Sequence, residues 1–465
     1  MKAVCHAVGV LAILASAAFA VAQANRAAYA PTGAGSKVAK CSPAPCVLPP
    51  TQASEGGYEV ADAPIVADPL DPAHLLLGSQ DANCESDLGF FASSNGGSEW
   101  SRYCPSQNIG PYVPTGFPMV GYDRNGIAYI AAEYVHHTNA SFGLIGVQSS
   151  TDGINWSQPV TALKEGEYPF YPWLTVDTNV SSPYINNLYI SSVVFGDDGA
   201  SNQLYVSHSK DGGATWQAVA VAPAQVYPEE DWYTSLTIGK GGTVYLTWMY
   251  CDAIGSGYCG SKDIGYMAFS RSSDGGNTWS TPISMAKVML LPGLLPNTNL
   301  PVTNIPVIGV DNSGGPYAGT LYAVLNNWTG TYLQVLAVRS TDGGNTWSKP
   351  VPVAPPSDTH DQFFPWLSVS SAGLVGVSWL DRRNDPANID YQAFAAISSD
   401  GGQTFPNVQL TKKFSNPNNN GYSDNAWMGD YTGNTWDGPN YFIAAWMDSS
   451  NGVDMQDVVG GIRLK

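Results

Sequence analysis

The sequence predicts an all-β, seven-bladed β-propeller of four-stranded antiparallel blades. One octapeptide recurs at even spacing, β-rich runs fill the intervals, and the composition is that of a turn-rich all-β chain. Ser272-Ser-Asp-Gly-Gly-Asn-Thr-Trp279 and Ser340-Thr-Asp-Gly-Gly-Asn-Thr-Trp347 are nearly identical. Ser209–Trp216 and Ser398–Phe405 are close copies, Ser93–Trp100 is weaker, and Ser150–Trp156 has lost one residue. The closing aromatics are separated by 56, 60, 63, 68 and 58 residues, a period that suits a propeller blade better than a helical solenoid. With 49 glycines, 33 prolines and only 12% charged residues, turns and buried strands dominate the composition.

Each element follows from local chemistry. In the octapeptide the carboxylates of Asp152, Asp211, Asp274, Asp342 and Asp400 accept backbone N–H bonds across a tight turn, and the glycines supply positive φ. The closing Trp or Phe folds back over the hairpin. These five aspartates are therefore structural. Within the fourth unit, runs at Thr234–Ile238, Thr243–Met249 and Ile264–Arg271 precede the turn, and a strand after Trp279 completes the sheet. The last unit offers strands near Ala426–Thr432, Tyr441–Met447 and Val458–Leu464 but no fourth. A closed ring hides its edges, so the missing outer strand is expected from the region Cys46–Val60. Six blades are the alternative if a terminal unit is irregular.

The octapeptide resembles the Asp-box (BNR) repeat of the sialidase-like superfamily, and the similarity covers nearly the whole chain after its first residues. That resemblance implies a propeller scaffold shared by hydrolases, lyases, receptors and non-catalytic binders. It implies for a true sialidase three arginines around the substrate carboxylate, one in a Phe/Tyr-Arg-Ile-Pro motif, with a Tyr–Glu nucleophile pair and an Asp acid/base. No Arg-Ile-Pro is present, and Arg271 and Arg339 directly precede octapeptide serines, so exo-sialidase activity is disfavoured.

The octapeptide turns mark one face of the ring, so chemistry is expected from the loops on the other. Candidates there include Glu133, His136 and His137, Asp197 and Asp198, Tyr168, Phe170 and Tyr171, and Asp424 with Asp430. Glycoside hydrolysis needs two carboxyl groups flanking the scissile bond. The preferred catalytic cluster is Glu229, Glu230 and Asp231 facing Asp361 and Asp381. Trp173, Trp232 and Trp366 are candidate sugar-stacking rings, with His360, Arg382 and Arg383 as further substrate contacts. Solvated rim charges and structural salt bridges are the competing account of the same residues. Two functions stay open: an exported glycan-active hydrolase of a non-sialic or uronic-acid-containing saccharide, and a non-catalytic surface or matrix propeller that binds glycans or proteins.

The start of the chain places it in a cell. Lys2 precedes an apolar run from Ala7 to Ala22, which reads as a signal peptide over 1–24, followed by a Pro/Ala-rich linker over 25–50 and a single domain over 51–465. A secreted, periplasmic or extracellular location is expected, without membrane insertion. Cys5 lies in the signal; the other six cysteines suggest local pairs Cys41–Cys46, Cys84–Cys104 and Cys251–Cys259. The formal charge of −18 argues against nucleic acid, leaving a carbohydrate or glycoconjugate as partner and a monomer as the expected state. No cofactor is called for. The acidic loops Asp252–Asp263 and Asp448–Asp454 admit structural calcium, although neither has a known calcium-loop spacing.

Overall fold

A computed structural model describes residues 41–55, 57–196, 198, 201–227, 229–252, 264–419 and 427–465. Its strands form seven antiparallel sheets arranged as a propeller, and each blade runs from an inner strand on the axis to an outer strand at the rim. The inner strands are Ile65–Ala67, Tyr112–Tyr122, Tyr168–Val176, Glu230–Ile238, Val307–Val310, Gln362–Val369 and Gly433–Asp437, in blades 1 to 7. In blade 1 a two-residue strand, Val60–Ala61, also pairs with the second strand. The ring closes as the edge argument requires. Cys46–Gln52 pairs with Gln456–Arg463 and becomes the outermost strand of blade 7. The propeller therefore takes in the end of the stretch read as linker.

Second strands such as Leu188–Phe195 and Val375–Asp381 are buried almost throughout, because blade faces pack on both of their sides. Side-chain hydrogen bonds tie inner strands together across blades. Thr175 Oγ1 donates to the Leu236 carbonyl at 3.1 Å, the Ile308 N–H donates to Ser235 Oγ at 2.9 Å, and Asn434 Nδ2 donates to the Trp366 carbonyl at 2.8 Å.

The octapeptides are turns, as their chemistry implies. In the copy at 340–347, Ser340 Oγ donates to Asp342 Oδ1 and accepts the Gly344 N–H, while the Thr346 N–H and hydroxyl donate to the two Asp342 oxygens. The aromatics do more than cover their own hairpin. Trp347 packs edge-on against Phe269 of the preceding blade with centroids 5.4 Å apart, and Trp156 stacks on Tyr103 at 5.5 Å. Each such turn is thus also an interblade clasp.

Two strand assignments are corrected. The inner strand of blade 7 is Gly433–Asp437, not Ala426–Thr432. The preceding residues leave the ladder because Asp62 of blade 1 accepts the N–H groups of Asp430 and Tyr431 on Oδ1. Glu133 stands within the strand Ala128–His136, not in the loop after it. Disulfides join Cys41 to Cys46 and Cys84 to Cys104, whereas Cys259 lies outside the described residues.

Candidate functional site

The face opposite the octapeptide turns is built by a repeated bulge. In blades 2, 3, 4 and 6 the inner strand shifts register near its start, and the bulged residue is an aromatic at positive φ: Phe117 at 51°, Tyr171 at 50°, Tyr233 at 47° and Phe364 at 50°. Large residues avoid that region, so four equivalent outliers mark stored backbone strain of the kind that gathers at working sites. The bulge places neighbouring rings edge to face. Phe117 meets Tyr171 at 4.4 Å and Tyr171 meets Tyr233 at 4.8 Å. Phe170 extends the cluster to Tyr168 at 5.8 Å and to Trp232 at 6.1 Å. The result is a half-exposed aromatic shelf across blades 2 to 4.

Beneath the shelf lie carboxyl groups that water does not reach. Glu133 is 2% exposed. Tyr168 donates its hydroxyl to Glu133 Oε2 at 2.7 Å, and the Tyr171 N–H donates to Oε1 at 3.1 Å. Burial nevertheless outweighs these donors and, with some repulsion from Asp430, pushes the Glu133 carboxyl up to about 8. Asp430 is raised to about 7 by burial, against hydrogen bonds from the Trp427 and Tyr171 side chains. Asp62 is raised by burial and by the neighbouring Asp430. The shift favours the protonated form of Glu133 beside the Tyr168 phenol at neutral pH, an arrangement able to donate a proton to a leaving group, while Asp430 is poised between its two forms.

The residues favoured by sequence fall into three groups. Glu230 and Trp232 sit at the edge of the shelf, where Trp232 Nε1 donates to Glu230 Oε2 at 2.6 Å and burial raises the Glu230 carboxyl. Asp231 faces away, into a cavity between blades 3 and 4, and Glu229 hydrogen-bonds Tyr250 near that cavity. Asp361 and Asp381 are engaged by blade 6 and its neighbour. Asp361 accepts from the Leu333 N–H, from Asn388 and from the fully buried Arg382, while Asp381 accepts from Trp379 and Arg383. His360 pairs with Asp358, which also meets Arg383 at 3.1 Å.

Trp173 and Trp366 stack on each other at 4.6 Å in the central channel. They border a separate cavity of about 340 Å³ that Asn179 and Asn312 also line. The arginines lie elsewhere too. Arg271 and Arg339 donate to the carbonyls of Gly343 and Gly401 in the next blade's turn, and Arg102 pairs with Asp81. Arg124 is in the turn Asp123–Gly126, and Arg463 donates to the Cys41 carbonyl. His136 and His137 are stacked rings at a strand end, with His137 Nδ1 at 2.8 Å from the Pro111 carbonyl. Among the described residues, no group of three or more His, Cys, Asp or Glu side chains is placed to hold a metal ion. Asp197, Asp424 and most of the loop Asp252–Asp263 lie outside the described residues.

No family model and no curated protein matches this sequence. Solved structures do. An ulvan lyase, a polysaccharide lyase bound to a GlcA–Rha3S saccharide, superposes with a TM-score of 0.54 at 14% identity, over 89% of this chain and 96% of that one. A Hadza microbial sialidase gives 0.47 at 14% identity over 81% and 73%, and an α-L-arabinanase of Penicillium chrysogenum with arabinobiose gives 0.47 at 14% over 77% and 96%. At such identities the likeness is one of fold.

Proposed function

We propose that this protein is an exported, glycan-active propeller that hydrolyses glycosidic bonds of a non-sialic saccharide on the aromatic face. One observation carries this: the Tyr168–Glu133 pair and Asp430 lie under a shelf of rings, with Glu133 raised to about 8. Phe170, Tyr171 and Trp232 offer ring faces to a sugar. The Tyr168 hydroxyl gives its proton to the departing glycosidic oxygen as the C–O bond breaks and takes the Glu133 proton in its place, while ionised Asp430 or Glu230 removes a proton from the water that attacks the anomeric carbon; that proton later restores Glu133. A neutral saccharide suits the site better than a uronic or sialic acid, because the described arginines other than Arg124 are engaged elsewhere and Arg124 stands in the turn Asp123–Gly126 on the opposite face. The disulfides Cys41–Cys46 and Cys84–Cys104 fit an oxidising, exported setting. No helix of the described residues is long and apolar enough to cross a membrane.

Product release from neutral and acidic polysaccharides and aryl glycosides tests this. Wild-type turnover should fall about 10²–10⁴-fold in E133Q and strongly in Y168F, with both variants folded. Unchanged turnover in both would move catalysis away from this pair. The near-complete burial of Glu133 favours one other function, a non-catalytic glycan-binding propeller. Retained glycan binding with no turnover in wild type would establish it.

A further inference from the structure

The cavity between blades 3 and 4 that Asp231 faces is separate from the aromatic shelf and measures about 470 Å³. That falls in the range of about 300–1,000 Å³ typical of small-ligand pockets. Trp248, Tyr250 and Tyr266 provide aromatic walls, and the Tyr250 and Tyr266 rings stand 6.2 Å apart at 44°. Asp231 closes the bottom and Asp252 stands exposed at the mouth. The Asp231 side chain belongs to a residue only 1% exposed. Its Oδ1 accepts the Trp248 indole N–H at 2.8 Å, and the Gln225 side chain makes the carboxyl's other hydrogen-bonding contact. Burial outweighs these two neutral donors and raises the carboxyl, so ionising it is costly and a cation brought into the cavity would offset that cost.

Three carboxyl groups act on the same ring: Glu229, Asp252 and Asp231 all bear electrostatically on Tyr250. Such a pocket repels anions. Aromatic faces attract cations, and Tyr266 already does so within the chain, with the Lys287 ammonium 5.4 Å from its centroid. We propose that this interblade cavity is a binding site for a compact organic ammonium ion, held between Trp248, Tyr250 and Tyr266 and paired with Asp231. The shared chemistry is the ammonium group, whether free or carried by an amino sugar.

Calorimetric titration of the whole chain with choline, with its neutral carbon isostere dimethylbutanol, and with glucosamine against glucose tests the site. Choline or glucosamine should bind, while the isostere and glucose should bind at least about tenfold more weakly. Binding of choline alone assigns a free ammonium ion; preference for glucosamine assigns an amino sugar. D231N should lower affinity about tenfold or more and Y266L by a smaller factor. D252N at the exposed mouth should also weaken binding and needs no buried group to repack. Equal binding of charged and neutral partners, no binding of either cation, or undiminished affinity in both folded D231N and folded D252N would overturn the assignment.

Discussion

On the turn face, Asp342 is held down to about 2 by the Thr346 hydroxyl and N–H, and Asp152 to about 2 by the Asn155 N–H and amide. On the opposite face, Glu133 stands at about 8 and Asp430 and Asp231 at about 7, each raised chiefly by burial. The hydrogen-bond counts account for part of this difference, since Asp342 accepts three bonds and Asp152 four against two at Glu133. Water accounts for the rest. In the turns, donors add to solvation that the carboxylate keeps; beneath the shelf, two donors replace a full hydration shell and fall short. The same kind of group is a fastener on one face and a proton reservoir on the other.

Breaking either face should have distinct consequences. The largest stability loss is expected where a buried charge is orphaned. R382A leaves Asp361 without its ion-pair partner and should cost about 3–5 kcal/mol in chemical denaturation, with ligand affinity unchanged in the folded fraction. A substrate-binding Arg382 would show the reverse. Next comes the clasp. In G344A the added Cβ would stand 2.2 Å from the Phe269 ring at a φ of +89°, so a loss of about 1–3 kcal/mol is expected from thermal unfolding.

Smaller effects divide by pH. The folded Glu133 holds its proton to about 8, while in the unfolded chain it ionises near 4.5. The native state thus binds more protons between those values, and this residue's contribution to stability falls as pH rises through that window. E133Q should flatten that slope and unfold at a higher temperature than wild type above pH 8. Asp342 has the opposite sign: its contribution is present above 3.8 and is lost as pH falls toward 2. D342N should therefore matter least near pH 2 and slightly above pH 4, measured as a small shift in the acid-unfolding midpoint.

The fold was legible because its signal is local. Every octapeptide contains its own donors, acceptors and positive-φ glycines, and ring closure follows from edge pairing alone. The innermost strand of blade 7 was misplaced because its boundary is set by the Asp62 carboxylate, a residue more than three hundred positions away. Site residues were harder still. Glu133 was noticed, but as a loop residue; a lone carboxyl group inside Ala-Tyr-Ile-Ala-Ala-Glu-Tyr was the signal that it lies in a buried strand. The repeated aromatic-Pro pairs Phe117-Pro118, Tyr171-Pro172 and Phe364-Pro365 mark three of the bulges in the sequence itself. The charged run Asp381-Arg382-Arg383 attracted notice for its density, yet its charges pair within blade 6 and with Asp361, which only tertiary structure reveals.

The most direct test is an infrared difference titration of wild type against E133Q, following the carboxyl stretch of Glu133 from pH 4 to 10. A protonated band that persists at pH 7 and disappears with a midpoint at about 8 is the predicted result. A Glu133 that is already ionised at pH 5 would contradict the contrast between the two faces and remove the proton donor from the proposed site.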